Sequence, residues 1–212
     1  MFRNRDDAGQ QLFTLLQQRL SRKPDIVLGI PRGGIPVAAV IASGFQVPLD
    51  VLVVRKLGYP GNPEYAIGAI AGDHIRVLNA TDMISPEELE EVTRRERAEL
   101  CRREQRYRGH RAAPEIAGKY VLITDDGLAT GATMQAAIAS VRAQHPAGIV
   151  VAVPVAPKEV CPALRKRADE FFCLKTPTQF SAVGEFYREF GQTSDAEVSG
   201  LLQQNAEACV GD

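Results

Sequence analysis

Apolar runs and amphipathic stretches alternate along the chain, and the alternation predicts strands and helices in turn. Leu12, Leu15, Leu16 and Leu20 recur at helical spacing, so residues 8–21 read as an amphipathic helix packed on a sheet. After Pro24, residues 25–30 read as a short buried strand, and residues 35–42, closed at Gly44, as a second helix. Residues 49–54 form the next strand, which ends in Arg55 and Lys56. Gly58, Pro60, Gly61 and Pro63 suit neither a helix nor a central strand, so residues 57–65 are expected to form a long loop. Residues 66–71 and 74–78 flank Gly72-Asp73 and read as a hairpin.

Further on, Ser85, Pro86 and Glu88 stand in the order of N-cap, first-turn proline and N3 acid, opening a helix over 86–108. Strands at 121–124, 148–155 and 170–174 alternate with a helix through Met134, Ala137, Ile138 and Val141. A second helix runs from Pro157 to about Ala168, and a capped helix over 195–202 comes last. This order predicts an α/β fold with a parallel sheet covered on both faces.

Charge and composition narrow the picture. Of 212 residues 45% are hydrophobic and the formal net charge is −1, which excludes a general attraction to nucleic acid. In the helix over 86–108, seven Glu and seven Arg cancel and several form i,i+4 pairs, so it reads first as a solvated helix and second as one that shapes a site or a dimer contact. Cys101, Cys161, Cys173 and Cys209 show no C-x-x-C spacing and read as thiols of a reducing compartment. The charged opening residues and the lack of a long apolar run point to the cytoplasm and to no membrane partner. His74, His110 and His145 have no metal-ligand spacing.

Two stretches carry candidate chemistry. Val121-Leu122-Ile123-Thr124 delivers Asp125 and Asp126 to a strand end, and Gly127, Leu128, Ala129, Thr130, Gly131, Ala132 and Thr133 then turn into a helix N-terminus. Small residues before free helical N–H groups suit a phosphate, with hydroxyls from Thr130 and Thr133. Two acids beside an anion must face something else, such as sugar hydroxyls or a divalent cation. A phosphorylated sugar diol bound with Mg²⁺ satisfies both halves. A Walker A loop does not fit, because Gly131 is followed by Ala132 and not by lysine. The second stretch, Pro31-Arg32-Gly33-Gly34, is another strand–turn–helix with a cation suited to phosphate.

Residues 125–133 resemble the phosphoribosyl pyrophosphate (PRPP) signature of type I phosphoribosyltransferases, closest to versions with Ala before Thr-Gly. Arg32-Gly33-Gly34 resembles the family's pyrophosphate loop, and residues 55–61 are similar to its catalytic loop in adenine enzymes. The likeness extends over about residues 26–190 and reaches a group of bacterial members whose acceptor it does not name. It implies one Rossmann-like domain over 1–212 (core about 22–175, charged helical insertion about 85–109, C-terminal hood and helix about 176–212) and a flexible lid loop at 57–68.

The resemblance implies transfer of ribose 5-phosphate from Mg²⁺–PRPP to a nitrogen acceptor, a nucleobase above all, in a homodimer. Gly127 to Thr133 would hold the 5′-phosphate, and Asp125 and Asp126 the ribose hydroxyls and the metal. Arg32, Gly33, Gly34 and Lys56, with Arg55 nearby, would hold pyrophosphate. Phe180, Phe186, Tyr187 and Phe190 belong to the hood, where they either stack on a base or staple the segment to the core. Ala129 stands where hypoxanthine–guanine enzymes carry an Asp, which weighs against a 6-oxopurine acceptor; by the likeness to the adenine enzymes, Glu64 in the lid would be the substitute. A PRPP- or nucleotide-sensing regulator, and a hydrolase or phosphorylase acting on phosphoribosyl compounds, remain the alternatives.

Overall fold

A computed structural model describes the backbone of residues 1–72, 75–78, 84–109 and 111–210, and their side chains except 63–66, 75 and 209–210. Five strands form a parallel sheet: β1 (Ile26–Gly29), β2 (Leu49–Val51), β6 (Tyr120–Thr124), β7 (Gly148–Val155) and β8 (Glu170–Lys175), in the order β2-β1-β6-β7-β8. Between β2 and β6, β3 (Val54–Tyr59), β4 (Asn62–Ala71) and β5 (Ile75–Leu78) make a second, antiparallel sheet.

The side-chain period of two sorts the central strands between two cores. Val27, Leu122, Val150 and Ala152 pack beneath α1 (Arg5–Arg19), α2 (Gly34–Phe45) and α6 (Asp195–Val210), through Leu12, Leu16, Ile35, Ile41, Val198 and Leu202. Ile26, Leu28, Val121, Ile123, Val151 and Val153 face α4 (Ala132–Arg142) and α5 (Cys161–Arg165), through Met134, Ile138, Val141 and Leu164. Both faces are covered, which is why these strands read as continuous apolar runs.

The expected capping box opens α3 (Pro86–Arg108): the Ser85 hydroxyl accepts from Glu88 N–H and the Glu88 carboxylate accepts from Ser85 N–H. Ser194 and Glu197 form the same reciprocal pair at the start of α6.

Three expectations need correction. The strand expected over 49–54 breaks after Val51, and Arg55 and Lys56 lie within β3 of the second sheet. The long loop expected at 57–65 is mostly hairpin. Its odd residues sit at register shifts around Gly58 and at the Pro60-Gly61 turn, where Gly61 has φ +81°. The helix expected from Pro157 to Ala168 shrinks to the five residues of α5, because the ring of Pro162 is tolerated only in a first turn. The Gly72-Asp73 hairpin pairs as expected, Ala71 opposite Ile75, although Asp73, His74 and His110 lie outside the described residues.

Candidate active site

The carboxyl ends of β1 and β6 are neighbours, since Gly29 pairs with Thr124. Ile30 N–H donates to Thr124 O at 3.0 Å, which aligns the turn after β1 with the acids after β6. The Pro31–Arg32 peptide is cis. A Cβ on Gly33 would lie 2.0 Å from Asp126 Oδ2, and one on Gly34 would lie 2.8 Å from Asp125 Cα. The two motifs, more than ninety positions apart, are in direct contact. Only glycine permits that approach.

Asp125 Oδ1 accepts from Asp126 N–H at 2.8 Å. Enclosure by protein, and then the neighbouring Asp126 charge, push the Asp125 carboxyl well above the usual carboxylate range. Burial also raises Asp126, against the opposing pull of Arg5, whose Nε donates to Asp126 Oδ2 at 2.8 Å. Among the described residues no third His, Cys, Asp or Glu joins a metal-holding group. Two carboxylates alone fit Mg²⁺, which keeps most of its shell as water and substrate oxygens.

Past the acids, Gly127 is wedged under Val155 and Val183, and Leu128 is buried with its N–H on Val155 O at 2.9 Å. Ala129 and Thr130 are exposed and Thr133 is half-buried. The Thr130 hydroxyl accepts from Ala132 N–H at 3.4 Å. The N–H groups of Thr130, Gly131 and Thr133 donate to nothing among the described residues, so the start of α4 presents open donors.

The cations separate. Arg32 is half-buried, with Nη1 3.8 Å from Asp195 Oδ1 at the start of α6. Arg55 is bound instead to Glu96 of α3. Lys56 is exposed, its side chain making no hydrogen bond or ion pair among the described residues. Its hairpin, β3 and β4, contacts α4, the helix that follows the acid turn. The Glu64 backbone belongs to β4, and its side chain lies outside the described ones.

The aromatic segment covers the acid turn by packing on itself. Phe180 stacks on Phe186 with centroids 5.5 Å apart, and Tyr187 on Phe190 at 4.9 Å, so both pairs spend ring faces on each other. Tyr187 donates its hydroxyl to Asp126 O at 2.6 Å, and burial raises its phenol. Phe2 N–H donates to Phe186 O, and Arg188 N–H donates to Phe2 O, so the N-terminal residues form the other half of this cover. Arg5, Arg32, Gly33, Asp126, Phe190 and Gln192 line a cavity of about 340 Å³. A larger groove of about 930 Å³, between α1, α2 and α6, touches none of the predicted site residues. Arg5, Glu96 and Asp195 escaped the sequence reading, since each acts on a partner distant along the chain.

Comparisons with known proteins identify the family. The phosphoribosyl transferase domain family matches residues 6–189. Two curated relatives from Mycobacterium tuberculosis (strains CDC 1551 and H37Rv), provisionally named phosphoribosyl transferases, are 47% identical over 209 residues. The match takes in 96% of this chain and 47% of each relative, so the chain spans about half the length of the curated relatives it matches. The crystal structure of TT1426 from Thermus thermophilus is 40% identical, with a TM-score of 0.88 over 96% of this chain and 98% of that one. AQ2163 from Aquifex aeolicus, 15% identical over 85% of this chain and 78% of that one with a TM-score of 0.51, shares the fold alone.

Proposed function

This chain belongs to the phosphoribosyl transferase family, and we propose that it moves ribose 5-phosphate from Mg²⁺–PRPP to a nitrogen acceptor, releasing pyrophosphate. The observation that carries the reading is the contact of Gly33 and Gly34 with Asp126 and Asp125, which makes one site of a cation-bearing turn and an acid pair.

In this reading the open N–H groups at Thr130, Gly131 and Thr133, with the threonine hydroxyls, hold the 5′-phosphate. Asp125 and Asp126 face the ribose diol and would hold the metal, which when bound offsets the charge of the leaving pyrophosphate. Arg32, Gly33, Gly34 and the exposed Lys56 receive that pyrophosphate. Arg55 serves indirectly, by holding β3 against α3. The transition state is oxocarbenium-like, so the site must exclude water and stabilise separated charge. The hairpin β3–β4 closes over α4 as the lid, and the acceptor enters from the cavity beside Phe190 and Gln192. Glu64 polarises the acceptor from the lid.

The test is pyrophosphate release from Mg²⁺–PRPP against a panel of nucleobases, with Glu64→Gln beside the wild type. Release with one base names the acceptor. Full turnover in Glu64→Gln removes that residue from the chemistry. One observation favours a second reading, in which the chain binds PRPP or a nucleotide without turnover: Asp126 already holds an internal cation, Arg5. Tight binding with no release from any base would support that reading.

A further inference from the structure

Arg5 is the first residue of α1, fixed there by an N-cap in which the Asn4 side chain accepts from Asp7 N–H at 3.0 Å. Its guanidinium is held on three sides. Nε donates to Asp126 Oδ2 at 2.8 Å, Nη1 donates to Gly191 O at 2.7 Å, and Cζ lies over the Phe190 ring, 4.0 Å from its centroid. The two side chains are only 12% and 14% exposed, so the pair sits away from bulk solvent and does not resemble a frayed surface bridge.

The segment before it is bolted to the C-terminal cover. Arg188 N–H donates to Phe2 O and Glu189 N–H donates to Arg3 O, both at 2.9 Å, and Phe2 is fully buried. Asp126 is therefore gripped from two sides, its carboxylate by Arg5 and its carbonyl by the Tyr187 hydroxyl. No other cation pairs with Asp126 among the described residues.

We infer that Arg5 is a positioning residue for Asp126, contributed by the N-terminal segment, and that it sets the orientation in which this acid receives the ribose hydroxyls. The inference rests on the proposed function, which assigns the diol to the acid pair. A planar fork anchored at a carboxylate, a carbonyl and a ring fixes direction as well as charge, and a lysine in its place would supply the charge alone. Because Arg5 acts only through Asp126, its removal should affect recognition of the diol and leave phosphate binding at residues 127–133 intact.

Titration of the full chain, with Mg²⁺, by ribose 5-phosphate and by 2-deoxyribose 5-phosphate separates these effects. The wild type should prefer the ribose compound by about tenfold, the worth of one hydrogen bond to a charged group. Arg5→Gln should bring the two affinities within about twofold of each other while leaving the deoxy compound's affinity unchanged. Arg5→Lys, which keeps the cation and guards against a failure of Arg5→Gln to fold, should fall between. Retained preference in Arg5→Gln overturns the inference, as does an equal loss for both sugars, which would mark a purely structural role. Tighter ribose binding in Arg5→Gln also overturns it, because Arg5 would then be competing with the sugar for Asp126. A wild type with no preference overturns the assignment of the diol to the acid pair itself, a failure of the proposed function that is distinct from the others.

Discussion

Arg55 donates through Nε and Nη2 to a single oxygen of Glu96, at 2.9 and 2.6 Å, and so ties β3 to α3. This contact changes the meaning of the charged helix. Its outer face is solvated, with exposed pairs such as Arg94–Glu91 and Arg102–Glu99. Other side chains of the helix reach other elements: Glu96 to Arg55, Arg108 to Asp50, and Arg106 and the Tyr107 hydroxyl to Asp195, which in turn lies beside Arg32. The helix supports the elements that carry two of the proposed pyrophosphate cations.

Glu96→Ala should therefore destabilise the chain by about 1–2 kcal/mol, less than a deeply buried pair would give because Arg55 is partly exposed. Urea unfolding measures this. With the hairpin loosened, the KM for PRPP should rise. Unchanged stability together with unchanged KM would show that the contact supports nothing.

Arg108→Ala should cost about 3–5 kcal/mol at neutral pH, since it strands the buried Asp50 carboxylate, which accepts from Arg108 Nε through both oxygens. Burial holds the Asp50 carboxyl above its ordinary value despite Arg108. The folded state thus keeps a proton that the unfolded chain releases first, and stability falls as pH rises from the unfolded value through the raised folded one. Losing the arginine widens that window upward. Denaturant midpoints should show the variant closest to wild type near about pH 4 and furthest from it at pH 7; a pH-independent gap would contradict this origin.

The thiols should react unequally. Cys101 is exposed, whereas Cys161 is buried and burial pushes the Cys173 thiol up to about 12. Iodoacetamide at mildly alkaline pH followed by peptide mapping should find Cys101 modified while Cys161 and Cys173 remain thiols. Comparable labelling of Cys173 and Cys101 would place Cys173 outside the packing described.

Gly33→Ala and Gly200→Ala should behave oppositely. The first puts a methyl 2.0 Å from Asp126 Oδ2, so the acid must move, and PRPP affinity should fall more than about tenfold at a stability cost of about 1–3 kcal/mol. The second meets nothing within 4 Å in α6 and should stabilise by about 0.5–1 kcal/mol. Calorimetry of both variants checks the pair; unimpaired PRPP binding by Gly33→Ala would break the link between the two motifs.

What could be read from the chain was what is written locally. The strand ending in Asp125-Asp126 carries its apolar run, its acids and its turn within thirteen positions, and the Ser85–Glu88 capping box spans four. The helix expected from Pro157 overran because Pro162, whose ring restricts where a helix can start, was outweighed by the flanking pattern. Residues 57–65 were misleading because Gly58 and Pro60-Gly61, which usually mark a loop, here absorb register shifts and a turn within a hairpin. Arg55 was expected to follow a strand end, but it lies within β3 and is bound to Glu96, forty-one positions on. Arg5 gave no local signal, because what defines it is a carboxylate 121 positions away. Contacts set by tertiary packing leave no periodicity to read.

The most direct test is isothermal titration of PRPP, with and without Mg²⁺, into the wild type and into Asp125→Asn/Asp126→Asn. Binding that needs the metal and disappears in the double variant is the expected result. Equal binding by both proteins, or none by the wild type, would contradict a PRPP site at the end of β6.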